Sequence, residues 1–313
     1  MSSILVYSDN SNYACELLSA AQSIAAELGL GVKALSINND DQSEILALRC
    51  SDVYRIQDEA IQIADTAAVT SAISQVAEKT GASVIFLSSN RRGKEIAGRL
   101  AYMIDGGCLT DVGNIKIEGG KIYCQRIALG GATVATQVIE SENKVIAIAP
   151  KTYEMMGERE KGMINDIAVE AQPSGIKVLE VRPKMEDSVD IEAAEVLVAI
   201  GQGLESNDDL PMVEILAKRL KGEVACTKPV ATDKKWLSEE RIIGLSGKKC
   251  KPDLAILLGI SGQVQFTVGI RDAKTIISVN TDENANTMKM SDYLMVADIK
   301  EVVPELVKRI DRS

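Results

Sequence analysis

The chain has 313 residues, 46% of them hydrophobic, and a formal net charge of −10. That length supports two domains with real cores, and an acidic balance without a basic stripe interleaved with aromatics argues against nucleic acid. There is no histidine, which removes His-based triads, His general bases and His-ligated metals together.

No apolar run approaches the ~20 residues of a membrane helix, so membrane insertion is not expected. The opening Met-Ser-Ser-Ile-Leu-Val-Tyr-Ser has no basic region of a signal peptide. Cys15, Cys50, Cys108, Cys124, Cys226 and Cys250 form no C-x-x-C pair, which suits reduced thiols in a cytoplasmic protein better than disulfides or zinc.

Residues 4–8 read as a strand and residues 11–28 as a helix, with Ala14, Leu17, Leu18, Ala21, Ile24, Ala25 and Leu28 on one face. Gly29 and Gly31 end it. A strand at 32–37, a helical turn at 45–48 and a strand at 52–56 follow. A helix is expected over 58–79, closed by Gly81, then a buried strand at 83–88 and a helix over 94–103. Alternating strands and helices predict a doubly wound α/β domain with a largely parallel sheet. Arg91-Arg92-Gly93-Lys94, just after a strand, reads as a solvated helix start rather than an anion dock.

From residue 114 the pattern changes. Strand-like runs at 114–117, 121–128, 133–140 and 144–149 are separated by Gly119-Gly120 and Gly130-Gly131, which suggests an antiparallel β addition. Tyr153, Met155 and Met156 read as loop packing, not a cofactor box. One more strand is expected at 176–181, stopped by Arg182-Pro183. The charged run 184–190 is the best boundary, giving domains 1–184 and 185–313.

The second half begins with a strand at 195–200 that runs into Gly201-Gln202-Gly203-Leu204. Pro211 suits the first turn of a helix whose face is Val213, Leu216, Ala217 and Leu220. Strands are expected at 223–227, 254–258, 275–279 and 293–297. A final helix spans 299–310, with Asp298 and Glu301 forming a D-x-x-E capping box.

The strand ends carry the functional signal. They are Gly201-Gln202-Gly203, Thr227-Lys228, Ser246-Gly247, Ser261-Gly262, Asn280-Thr281-Asp282 and Asp298. In an open parallel sheet all of them lie on the edge where ligands bind. They offer hydroxyls, amides, glycines and one cation, which fits an extended anionic ligand such as a dinucleotide. No pair is poised for acid–base work, and there is no Walker-type or G-x-S-x-G run. The run Gly259-Ile260-Ser261-Gly262, a strand ending in a glycine turn with a helix to follow, is the expected phosphate cradle.

The second half resembles the C-terminal, FAD-binding domain of electron transfer flavoprotein α subunits of the FixB-like group. The matching pieces are Gly201-Gln202-Gly203-Leu204, Ala225-Cys226-Thr227-Lys228-Pro229, Ile243-Gly244-Leu245-Ser246-Gly247, Lys251-Pro252-Asp253-Leu254, Gly259-Ile260-Ser261-Gly262-Gln263-Val264-Gln265, Ser278-Val279-Asn280-Thr281-Asp282, Ser291-Asp292-Tyr293 and the segment from Asp298-Ile299 to Pro304. The first half is similar more loosely, through Gly93-Lys94, Arg99-Leu100-Ala101, Thr110-Asp111-Val112 and Gly130-Gly131-Ala132.

The resemblance implies FAD as cofactor and a heterodimer with a β subunit that carries AMP or a second FAD and that the N-terminal domain contacts. It implies electrons taken from flavin dehydrogenases such as acyl-CoA dehydrogenases. By that resemblance Ser246 donates towards flavin N5, and Lys228, beside Thr227, takes the place of an Arg over the isoalloxazine. Ser261 and the amides following Gly259 hold the ribityl-pyrophosphate region, and Gln265 lies close to the ring and ribityl chain. Asn280 and Asp298 lie towards the adenosine end, and Gln202, Thr227, Ile243, Gly244, Leu245, Gly259, Gly262, Gln263, Val264, Phe266, Asp282 and Ile299 complete the cofactor-binding set.

Four positions depart from the family pattern. Gln202 stands for the Arg of G-R-G-L, Lys228 for the Arg of S-R, Thr281 for the Lys of N-K-D, and Phe266 for the His of G-I-S-G-x-x-Q-H. A Lys lacks the planar fork of Arg, and Phe266 offers no hydrogen bond to the flavin. The alternative expectation is a degenerate member that holds an adenine nucleotide and has no redox role.

Overall fold

A computed structural model describes residues 2–129, 133–180 and 189–312. The chain divides into two compact units, Met1–Val181 and Arg182–Ser313. The Gly130-Gly131-Ala132 motif, the expected boundary after residue 184 and most of the 184–190 run lie outside the described residues.

In the first unit the elements run β1 (Ser3–Tyr7), α1 (Ser11–Leu28), β2 (Gly31–Ile37), α2 (Asp40–Ala47), β3 (Asp52–Ile56), α3 (Thr66–Thr80), β4 (Ala82–Ser88) and α4 (Arg91–Met103). They continue with β5 (Gly107–Glu118), β6 (Lys121–Ala128), β7 (Thr133–Val138), β8 (Lys144–Ile148) and β9 (Met163–Asp166). The nine strands form one sheet in the order β7-β6-β5-β8-β4-β1-β2-β3-β9. Its central strands are buried on both faces. Ile4, Val6 and Phe86 pack with α1, and Leu5, Leu35 and Ile85 with the helices of the opposite face.

Helix limits follow their caps. The Asn10 side chain accepts from the Tyr13 amide, and Gly29, at φ 63, closes α1 in the left-handed region. The Asp65 carboxylate accepts from the amides of Ala67 and Ala68, so α3 starts at Thr66 rather than 58. The preceding stretch turns back through Ile61 N–H to Asp58 O and Asp65 N–H to Gln62 O. Likewise Asn39 caps α2, which is a full helix and not a single turn.

The β addition is antiparallel for β5–β6 and β6–β7. The expected strand at 144–149 is different: β8 inserts between β4 and β5, parallel to both. Val145, Ile146, Ala147 and Ile148 are all buried, and such a run requires cover on both faces. The expected strand at 176–181 does not form across the described 176–180, where Leu179 is 94% exposed. The sheet edge beside β3 is taken by β9, fastened by Arg55 Nε to Asp166 Oδ1 at 2.7 Å. Tyr153 is packing, as expected: its hydroxyl accepts from the Ile115 amide. Arg92 and Lys94 pair with Asp9 and Asp111, both at 2.8 Å, so the α4 start presents no spare cation from either residue.

The second unit runs β10 (Val196–Ile200), α5 (Leu210–Arg219), β11 (Glu223–Cys226), α6 (Lys228–Thr232), β12 (Leu254–Leu258), α7 (Val264–Thr267), β13 (Thr275–Asn280), α8 (Asn286–Lys289), β14 (Tyr293–Val296) and α9 (Ile299–Ile310). All five strands are parallel, in the order β11-β10-β12-β13-β14. Leu216, Val302 and Val303 from α5 and α9 bury one face, and Ile243, Phe266 and Ile270 belong to the cluster on the other. Both units are therefore doubly wound α/β folds, the first with an antiparallel extension.

Candidate functional site

Parallel strands point their carboxyl ends to one edge, and the chain winds in opposite directions from β10 and β12. The gap outside those two ends is the switch point at which such sheets bind ligands. Here it is closed backbone to backbone. Gly201 N–H donates to Leu258 O at 3.0 Å and Gly203 N–H to Gly259 O at 3.0 Å. A Cβ at Gly203 would lie 2.7 Å from the Cα of Gly259. Gly259 itself sits at φ 61. Only glycine allows both this left-handed turn and this approach.

The turn that follows is held from below. The Ile260 carbonyl accepts from Asn280 Nδ2 at 3.1 Å and from Thr287 Oγ1 at 2.6 Å, and Ser261 O accepts from the Asn286 amide at 2.8 Å. Thr287 is only 1% exposed. These bonds tie the turn to β13 and α8. The amides of Gly262, Gln263 and Val264 then have no acceptor among the described residues. The helix expected after them is one turn, α7, so free amides rather than a long helix dipole make this an anion cradle.

Around it the edge is polar and open. Gln202, Lys228, Ser246, Ser261, Gln263 and Gln265 are exposed. Thr227 N–H donates to Ile200 O, which sets Lys228 at the first position of α6. Leu245 N–H donates to Gln265 O at 2.7 Å and Gly244 N–H to Lys248 O, which fixes the loop that presents Ser246. Burial pushes the Cys226 thiol, at the end of β11, up to about 12, so it is neutral and supplies no thiolate.

Other expected side chains are occupied within the fold. Ile243, Phe266 and Ile299 are buried at 2%, 6% and 5% exposure and serve packing. Asn280 pins Ile260 and accepts from the Asp282 amide, Asp282 accepts from the Asn284 amide, and Asp298 caps α9 at the Lys300 amide. Sequence reasoning missed Thr287 and Lys234. The Lys234 Nζ donates to Leu204 O at 2.7 Å and to Gln202 O at 3.4 Å. A Lys two residues before the chain's single Trp was the available signal.

The model of the electron transfer flavoprotein domain matches residues 6–172, and that of the electron transfer flavoprotein FAD-binding domain matches residues 190–271. The chain belongs to the electron transfer flavoprotein family. The putative electron transfer flavoprotein subunit YdiR of Escherichia coli K12 is 32% identical, covering 100% of this chain and 99% of that one. FixB of Salmonella typhimurium LT2 is 29% identical and FixB of Escherichia coli O6:K15:H31 is 28% identical, each covering 99% of both chains.

An electron transfer flavoprotein is an electron carrier, and its flavin-binding domain falls on the second unit. The matched span contains both glycine turns, Thr227-Lys228 and the Ser246 loop, whereas Asn280, Asp282, Asp298 and Ile299 lie beyond it. The residues present fit such a group: unclaimed amides suit a phosphate, and exposed amide and hydroxyl side chains line the edge. Among the described residues no helix is long and apolar enough to cross a membrane.

Proposed function

We propose that this chain is the α subunit of an electron transfer flavoprotein, that it works in the cytoplasm as a heterodimer with a β subunit, and that it holds one FAD at the carboxyl edge of its second sheet. Electrons come from flavoprotein dehydrogenases, acyl-CoA dehydrogenases of fatty acid β-oxidation among them. The N-terminal domain, placed at residues 1–184, contacts the β subunit, and residues 185–313 hold the cofactor. The observation that carries this reading is the pair of glycine turns locked across the β10/β12 switch point, inside the stretch matched by the flavin-binding domain. Six cysteines outside any disulfide, five of them buried, suit a reducing compartment.

Bound there, FAD supplies the one- and two-electron chemistry. The chain's part is to hold and orient. The amides of Gly262, Gln263 and Val264 with Ser261 take the pyrophosphate, and Ser246, Lys228 and Gln265 face the ring system. Phe266 sits in the apolar cluster, so position 266 provides no hydrogen-bond donor where negative charge collects on reduction. Such a bond is typically worth about 1.5–3 kcal/mol, on the order of 100 mV for a one-electron step. Redox titration of the heterodimer is therefore expected to give a potential on the order of 100 mV below members with His at this position. A potential equal to theirs contradicts the assignment of Phe266.

A further inference from the structure

The turn after β10 presents the site's first lip, and it is held by a residue thirty positions further on. After α6 the chain reverses at Lys235, whose φ is 56. Trp236 N–H then donates to Val230 O at 3.2 Å, and Lys234 N–H donates to Pro229 O at 3.0 Å. This reversal brings the Trp236 ring beneath the Lys234 ammonium, 4.1 Å from Nζ to the ring centre. The ammonium, half-buried, reaches across to the carbonyls of Leu204 and Gln202 at 2.7 and 3.4 Å.

A peptide unit is planar and trans, so fixing its carbonyl fixes the N–H of the next residue in the opposite direction. With Gln202 O turned onto Lys234, Gly203 N–H is aimed away from it, and it donates to Gly259 O at 3.0 Å. The same ammonium thus orients the contact that joins the two glycine turns. It also counters two carbonyl dipoles that an anionic ligand would otherwise meet, and it places a positive charge beside a turn whose own side chain, Gln202, is neutral. The aromatic face attracts the cation and reduces its freedom.

We infer that Lys234, seated on Trp236, is the positioning residue of this lip: it sets the Gln202–Leu204 carbonyls and supplies the local positive charge for a bound dinucleotide pyrophosphate. The inference rests on the FAD reading above. Lys234 acts through the backbone rather than by touching the ring system.

The test uses the full-length chain and its heterodimer. Because Trp236 is the chain's only Trp, its emission in the isolated full-length chain reports on the ammonium directly. Lys234→Met is expected to shift that emission, and Lys234→Arg to preserve it. In the heterodimer freed of flavin and titrated with FAD, K234M is expected to raise Kd at least tenfold, whereas K234R stays within threefold of wild type. K234Q, which keeps a polar side chain without the charge, is expected to weaken binding as K234M does. Wild-type Kd values in K234M and K234Q, with wild type itself binding FAD, overturn this inference and leave the FAD reading standing. A wild-type heterodimer that takes up no FAD overturns the FAD reading, and this inference with it.

Discussion

Gly259→Ala is expected to destabilise the second unit by about 2–5 kcal/mol, summing about 1–2 for a Cβ in the left-handed region and about 1–3 for forced overpacking. The same change is expected to lower FAD affinity on the order of a hundredfold, ~2.7 kcal/mol. The added Cβ would lie 2.8 Å from the Cα of Gly203, 2.9 Å from its carbonyl carbon and 2.9 Å from Ile299 Cδ1. The Ile299 methyl can turn aside, but the two backbone atoms cannot move without parting the turns. Gly203 N–H would then lose Gly259 O, and the switch point would open. Urea unfolding followed by Trp236 emission reads the stability, and flavin absorbance after gel filtration reads the retention. A variant that keeps both wild-type stability and its flavin would show that the paired glycines do not shape the site.

The second large effect is in the first unit. Gly93 lies in the first turn of α4, where Ala would ordinarily favour the helix by about 1 kcal/mol. Here the sign reverses. A Cβ at Gly93 would fall 1.8 Å from the carbonyl oxygen of Ser88 and 3.0 Å from its carbon. Helix α4 must withdraw from the end of β4, pulling Arg92 from Asp9 and Lys94 from Asp111 and straining the Asn90 cap on the Gly93 amide. Gly93→Ala is expected to cost about 3 kcal/mol or more, as overpacking together with a lost cap. Gly98→Ala, on the same helix with nothing within 4 Å of its added Cβ, is expected to stabilise by about 0.5–1 kcal/mol. Thermal unfolding of the two variants side by side checks both signs. A Gly93→Ala protein at least as stable as wild type would contradict the close approach of α4 to β4.

Local signals carried much of the fold. Helices α1 and α9 begin and end where periodicity, with Gly29 and Asp298, puts them. Strands β3 and β12 match their expected spans, 52–56 and 254–258, residue for residue. The expected start of α3 at 58 is eight residues early because the turn through Ile61 and the cap bonds at Asp65 are not visible in the apolar spacing. Strand β9 is four residues with a polar half, below what alternation can reveal, and it depends on Arg55, 111 residues earlier in the chain on the neighbouring β3. The central position of β8 is a property of the whole sheet. Its apolar run indicated burial on both faces but not which neighbours supply it.

The candidate site shows the same division. Glycine turns are legible because a strand end followed by glycines has few other backbone meanings. The polar residues at strand ends were less so, since Asn280, Asp282 and Asp298 satisfy turns and caps with the same atoms that would bind a ligand. Phe266 was read at its motif position as part of the cofactor set, but its ring packs in the core. Lys234 is marked in the sequence only by its nearness to Trp236, since its reach to Leu204 depends on the reversal at Lys235, which no spacing rule encodes.

The nucleotide released when the purified heterodimer is denatured tests the central claim most directly. A yellow protein that releases one FAD per α chain beyond any held by the β subunit, identified by mass and absorbance, is the predicted result. A colourless heterodimer that releases AMP or ADP from this chain, or nothing, would contradict it.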